Sequence, residues 1–231
     1  MGNHGITVPN DELLSKLPGL ITSIEPQKKA NDRVSIFIEG EFAIGLHADV
    51  LISRGLSIGQ SISESELSEL VNEDSYFRAR AKAYHLLSYR QRTHVELSRR
   101  LSKSGFSAHI IDRVMERLIE LDMIDDEAYA RAFSEARIRS KGYGPRRLRT
   151  ELYRKGVDSK IIETVLANAY QEKAADVLAL EAARKYMRRL EGESDPQKRR
   201  SKLTAYLARR GFSFDQMTDA VTELESLDRK E

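Results

Sequence analysis

Leucine pairs four residues apart recur along the last two thirds of the chain: Leu97/Leu101, Leu148/Leu152 and Leu203/Leu207. That spacing places both side chains of each pair on one face of a helix. Each pair is followed by a glycine, a large apolar residue and a capping side chain: Gly105-Phe106-Ser107, Gly156-Val157-Asp158 and Gly211-Phe212-Ser213. Glycine at that place predicts a helix end in the left-handed conformation. The hydroxyl or carboxylate two residues on predicts a new helix, because it can accept from the first unbonded amides, with the intervening apolar residue as a staple. The glycines lie 51 and 55 residues apart, which marks the chain as a repeat protein.

A further amphipathic run precedes each pair. Phe77, Ala81, Tyr84 and Leu87 form a stripe over 76–87; Tyr129, Phe133 and Ile138 are spaced for a core within 126–141; Val177, Leu180, Ala183 and Met187 are so spaced within about 172–190. The closing helices carry Ile110, Ile111, Val114 and Leu118, then Ile161, Ile162, Val165 and Leu166. The third set is weaker, Met217, Ala220, Val221 and Leu224, as a terminal unit facing solvent on one side should be. Ahead of the array the pattern changes. Alternation over 34–38 and 42–46, joined by Glu39-Gly40-Glu41, predicts a hairpin, and 21–24 also reads as β. A short helix is expected over 47–54, and another over 63–71, where Ser63-Glu64-Ser65-Glu66 forms a capping box before Leu67, Leu70 and Val71. The expected fold is mainly α: a tandem array of three three-helix modules, preceded by a small β-hairpin-plus-helix domain. The boundaries read as a flexible tail 1–17, a small acidic α+β domain 18–75, and modules 76–125, 126–170 and 171–231.

Composition narrows the function. Cysteine is absent, so neither a disulfide framework nor a thiolate site is expected. No apolar run approaches the ~20 residues that span a bilayer, the amino terminus lacks a signal-peptide progression, and Ile6 stands where a myristoylation signal wants serine or threonine. A cytoplasmic protein without membrane association is expected. The net charge of +2 conceals a division: residues 1–75 carry −7 and residues 76–231 carry +9, with +4 in each of the first two modules and +1 in the third. Such a distribution favours a polyanion, whose counterions are released on binding, and equally an acidic protein groove.

No catalytic constellation is visible. His4, His47, His85, His94 and His109 are scattered without a metal-binding spacing, and the carboxylate cluster Asp122, Asp125, Asp126 and Glu127 reads as a helix cap and dipole complement. Gly142 and Gly144 lack the lysine–serine ending of a phosphate loop. No catalytic residue, metal or cofactor is expected. The segment from Arg137 to Arg149 carries the densest binding chemistry: Arg137, Arg139, Lys141, Tyr143, Arg146, Arg147 and Arg149 surround two glycines and Pro145, which suits a first helical position. Free amides at that helix start beside guanidinium groups are an anion-binding arrangement, with Tyr143 able to stack on an exposed base. The competing reading is a solvated helix–turn–helix whose arginines serve solubility. Arg90, Arg92, Arg99 and Arg100 occupy the corresponding stretch of the first module. Lys198, Arg199 and Arg200, with Lys202, form a third cluster after the acidic linker 191–196, or else balance its charge.

The tract LLSYRQRTHVELSRRLSKSGF, followed by LIELDMIDDEAYARAF and RSKGYGPRRLRTELYRKGV, resembles the RecX family, bacterial regulators of the RecA recombinase. The resemblance covers residues 77 to about 223 and departs at Gln91, where many relatives have proline, and in the sizeable amino-terminal region. It implies an array that lies along the groove of a RecA filament and modulates its assembly, ATPase and strand exchange in recombination, repair and the SOS response, with inhibition the expected direction. RecA is then the expected partner, with single-stranded DNA a second one, and the regulator is expected to act as a monomer. The alternative is a stand-alone helical DNA-binding protein or transcriptional regulator inserting helix–turn–helix pairs into the major groove.

Overall fold

A computed structural model describes residues 11–28, 32–171 and 174–228. The chain divides into two compact units, Met1–Arg90 with Leu97–Leu121 and Gln91–Glu96 with Asp122–Glu231.

In the first unit, α1 (Asp11–Leu14) leads into β1 (Gly19–Pro26), β2 (Arg33–Ile38), β3 (Glu41–His47), α2 (Ala48–Ser53) and β4 (Ser61–Ile62). The four strands form one antiparallel sheet in the order β3-β2-β1-β4. The expected hairpin is β2–β3, with Ile36 opposite Ile44 and Val34 opposite Leu46. Glu39 and Gly40 turn it with φ of 49° and 79°, a pair of left-handed residues whose twist matches the flanking strands. β1 extends beyond the expected 21–24, and β4 carried too few residues to show an alternation. The expected tail 1–17 lies partly outside the described residues; from Asp11 on it is ordered into α1, whose Leu13 is fully buried with Ile21, Ile38, Leu46 and Val50.

The capping box at Ser63 and Glu66 forms as expected, but the helix it starts, α3 (Glu64–Tyr89), runs for 26 residues, joining the two helices expected over 63–71 and 76–87. No glycine or proline interrupts 64–89, and Asp74, in the middle, is held from the sheet: its carboxylate accepts from Arg33 Nη2 at 3.1 Å and from the His47 amide at 3.0 Å. The buried stripe of α3 is Leu67, Leu70, Ala79, Ala83 and Leu86, one step round from the expected one; Ala81 is exposed. Small residues let α5 (Ala108–Glu120) approach closely, while Tyr76 and Phe77 flank that contact under the guanidinium groups of Arg113 and Arg80, each 4.7 Å away. Between them in sequence, α4 (His94–Lys103) buries Leu97 and Leu101. Gly105 adopts φ 88°, as predicted, but Ser107 makes no side-chain cap.

The second unit holds α6 (Asp126–Lys141), α7 (Pro145–Arg154), α8 (Ser159–Ala169), α9 (Ala175–Met187) with a short 3-10 turn at Arg188–Leu190, α10 (Pro196–Arg210) and α11 (Phe214–Asp228). Leu148, Leu152, Ile162, Val165 and Leu166 fill one core, with Tyr129 and Phe133 at its edge; Leu203, Leu207, Met217, Ala220, Val221 and Leu224 fill the other. Val177, expected inside, is 46 % exposed, because α9 turns its alanines Ala179, Ala182 and Ala183 inward.

Within the second unit, α7 and α10 join through backbone. Gly144 and Arg146, at the start of α7, donate their amides to the carbonyls of Arg210 and Gly211 at 2.8 and 3.0 Å, at the end of α10. One junction earlier, the first turn of α4 meets the end of α7: Thr93 Oγ1 donates to the Lys155 carbonyl, and a Cβ on Gly156 would lie 2.4 Å from that of Val95. At the α7–α10 junction the unbonded amides of one helix thus face the unbonded carbonyls of the next, with macrodipoles aligned head to tail. Beside the first junction, Asp126 accepts from the His94 amide at 2.8 Å.

Two predictions follow from these junctions. Gly105 and Gly211 share a φ near 88°, but a Cβ would meet nothing within 4 Å at Gly105 and would strike the Arg147 backbone nitrogen at 2.4 Å at Gly211. Gly105→Ala should cost about 1–2 kcal/mol for left-handed strain, and Gly211→Ala about 1–3 kcal/mol more for the overlap; equal losses in denaturant titrations would remove the docking role. Burial pushes the Asp126 carboxyl above the usual range despite the His94 amide. The folded state therefore holds this proton more tightly than the unfolded chain, so the group's contribution to stability falls as pH rises through the folded pKa. Asp126→Asn keeps an acceptor and should match or exceed wild-type stability at pH 7, the gain vanishing below the ordinary aspartate pKa, whereas Asp126→Ala should be less stable at both.

Candidate anion-binding cleft

The end of α6 explains why basic residues gather in the second unit. Ile138 leads the chain out of the core, Gly142 ends the helix at φ 57° with its amide on the Ile138 carbonyl at 2.8 Å, and Pro145 opens α7 at its first position. Gly144 has an ordinary φ of −86°. It must be glycine because a Cβ would lie 2.6 Å from the Gly211 carbonyl oxygen.

This geometry corrects part of the expected arrangement. The amides at the start of α7 are not open to an anion, since the carbonyls of Arg210 and Gly211 occupy them. Tyr143 is only 6 % exposed, so it is no platform for a base; its carbonyl accepts from Tyr170 Oη at 2.7 Å, and the Arg147 guanidinium stacks 4.1 Å from its ring. Burial raises the pKa of Tyr170, which keeps it a donor. Arg147 also donates to the Arg209 carbonyl at 2.6 Å and to Glu151 at 3.2 Å, so it clamps the junction.

The remaining basic positions divide by partner. Arg149 grips Glu163 with two hydrogen bonds of 2.6 and 2.8 Å, which hold the Glu163 carboxyl below the usual range. Arg137 lies 3.9 Å from Glu151 and over Phe133. Arg92 is 7 % exposed and bound to Glu96, whereas Arg90, Arg99 and Arg100 lie on the surface. In the third cluster Lys198 approaches Asp195 at 3.7 Å, Arg200 bonds Glu225 at 2.7 Å and Lys202 bonds Glu193 at 2.6 Å, so two acids of the linker and one of α11 neutralise most of it. Arg199 has no ion-pair partner among the described residues. The structure brings Arg139 and Lys141 together with residues the sequence reading did not single out: Lys185 and Arg189 from the end of α9, and Tyr206, Arg209 and Arg210 from the end of α10. Two adjoining cavities of about 490 Å³ each share Ser140, Lys141, Tyr206 and Arg210 and so form one cleft. Tyr186 and Tyr206 stack at 4.0 Å on its wall, with the Arg210 guanidinium 4.9 Å from Tyr206. Two signals were available in the sequence: the four-residue spacing of Lys185 and Arg189, and the arginine pair immediately before the third glycine.

Asp122, Asp125, Asp126 and Glu127 do not converge on a cation: Asp125 caps α6 through the Ala128 amide at 2.9 Å, and among the described residues no three metal-ligating side chains cluster. No helix among them is long and apolar enough to cross a membrane.

Repeated three-helix units, preceded in the chain by a small sheet, define a modular helical-repeat protein. Four family models match in order: the RecX amino-terminal domain over 19–63, and the first, second and third RecX three-helix domains over 79–118, 125–166 and 176–221. The chain belongs to the RecX family. A relative from Clostridium perfringens strain 13, named regulatory protein RecX, is 30 % identical over 206 residues, covering 89 % of this chain and 96 % of the relative. One of the same name from Halalkalibacterium halodurans is 36 % identical over 165 residues, 69 % of this chain and 62 % of the relative. A crystal structure of regulatory protein RecX matches with TM-score 0.68 at 26 % identity over 86 % of this chain and 96 % of its own, and that of RecX from Lactobacillus salivarius with 0.60 at 26 % over 66 % and 98 %. The family is one of regulatory proteins.

The division by partner predicts different outcomes for reversed charges. Arg139→Glu and Arg189→Glu should leave helicity and melting temperature unchanged, while Arg147→Glu should lower stability by about 1–3 kcal/mol, because it strands the Arg209 carbonyl and uncovers Tyr143. Equal melting of all three by circular dichroism would sink the distinction.

Proposed function

We propose that this protein binds the filament of a RecA recombinase and restrains its assembly, ATP hydrolysis and strand exchange during recombination and repair. The observation that carries this reading is family membership with all three modules matched in order. The structure adds support of a physical kind. A backbone junction holds the second and third modules in register, and tandem unequal modules suit a long periodic surface better than a two-fold palindrome. The exposed cations Arg99, Arg100, Arg139, Lys141 and Arg146 belong to the first two modules and offer repeated contacts to acidic protein groups or phosphates. We place recognition on these, with Arg92, Arg147 and Arg149 as internal struts. The major-groove alternative gains nothing from α8, whose start carries Asp158, bonded to the Lys160 amide at 2.8 Å, a negative charge where DNA phosphate would approach.

RecA-catalysed ATP hydrolysis on single-stranded DNA, titrated with this protein, tests the reading. Loss of hydrolysis well below one regulator per recombinase is expected, and Arg139→Glu combined with Arg146→Glu should weaken it about tenfold or more. No effect on hydrolysis, together with tight binding to bare DNA, would replace the proposal with the DNA-binding alternative.

A further inference from the structure

The cleft at the convergence of α6, α9 and α10 concentrates cations without carboxylate partners in one concavity. Elsewhere in that unit several cations are paired, Arg131 with Glu127, Arg149 with Glu163, Arg184 with Glu223, Arg200 with Glu225 and Lys202 with Glu193, and those without an ion pair among the described residues, such as Arg199, are not gathered around this concavity. In the cleft, Arg139, Lys185, Arg189, Arg209 and Arg210 have no carboxylate within ion-pair distance among the described residues. Glu181 is the one acidic residue of its lining. Part of this charge is explained locally, since cations at helix ends complement the carbonyl dipoles. Each such end supplies only about half a negative charge, and those of Arg210 and Gly211 already accept the α7 amides. An excess of several positive charges around one concavity remains, and like charges held together raise the free energy of the empty site.

We propose that this cleft is a binding site for a run of consecutive phosphates, of the kind carried by a nucleoside triphosphate or by a short stretch of single-stranded DNA. Arginines dominate the lining, and their forked donors match phosphate oxygens two at a time. Two merged cavities provide a track that one isolated anion would not fill. The tyrosine wall sets its width: Tyr186 and Tyr206 are already stacked on each other, so the site recognises charge and spacing, with no role assigned to a base. Occupancy would draw the ends of α6, α9 and α10 together beside the α7–α10 junction, tightening the second module on the third. This inference is independent of any action on RecA and is measured without a recombinase.

The test is isothermal titration calorimetry of the full-length protein with inorganic tripolyphosphate, ATP and oligo(dT) lacking a terminal phosphate, at low and moderate salt. The variants are Lys185→Ala/Arg189→Ala, which removes two exposed side chains from the cleft, and Lys82→Ala/Lys103→Ala, which removes the same charge from the first unit. Saturable binding of tripolyphosphate and ATP, weakened about tenfold or more by the cleft variant and unchanged in the control, supports the site with free nucleotides as its ligands. The same loss confined to oligo(dT) supports it with a DNA strand as the ligand. Absence of binding by all three probes, or equal weakening in both variants, overturns it. Circular dichroism of each variant ensures that a loss reports the cleft and not the fold.

Discussion

Everything in the second unit depends on amides at the start of one helix meeting carbonyls at the end of another. At the α7–α10 junction the contact is backbone on backbone, which restricts Gly144 and Gly211 to glycine, and at the α4–α7 contact Gly156 is restricted by the Val95 side chain. At Gly156 and Gly211 two requirements coincide, a left-handed φ of 82° and 89° and a surface with no room for a methyl group. The helix starts would otherwise hold unsatisfied donors, and the helix ends unsatisfied acceptors, each costly when removed from water. Meeting, they satisfy one another.

This constraint sorts the basic residues. Around the α7 start, the space that looked ready for an anion is filled by the neighbouring module, and Arg147 and Tyr143 are drawn into supporting the joint. The charge left over is displaced to the rim, where Arg139 and Lys141 join residues almost seventy positions away in sequence, Arg209 and Arg210. A basic concavity assembled in this way lies between modules, not within a motif.

Much of the fold was legible because it is written in short-range signals. The glycines, the leucine pairs, the capping box at Ser63 and the β2–β3 turn each involve residues within about five positions, and each appeared where expected. Asp126–Lys141 began and ended at the expected residues because Asp125 and Gly142 cap it at both ends. Periodicity erred where large residues competed with small ones: Phe77 and Tyr84 drew the α3 stripe towards themselves, although Ala79 and Ala83 make the close contact, and Val177 did the same on α9. The candidate site was legible as a charge excess and illegible as an address. Which arginines are struts and which face solvent depends on partners such as Glu163, Glu225 and the Arg209 carbonyl, and no local pattern announces those pairings.

The spacing of the glycines carries one more meaning. The second interval is four residues longer than the first, and α10 has 15 residues where α7 has 10. Roughly one helical turn has been accommodated ahead of the third leucine pair without moving the pair, its glycine or the joint it receives. Since the joint is made of peptide groups, its geometry is indifferent to what the exterior of each module carries. The array therefore behaves as a ruler with interchangeable markings, whose pitch is held by main chain and whose reading is free to change.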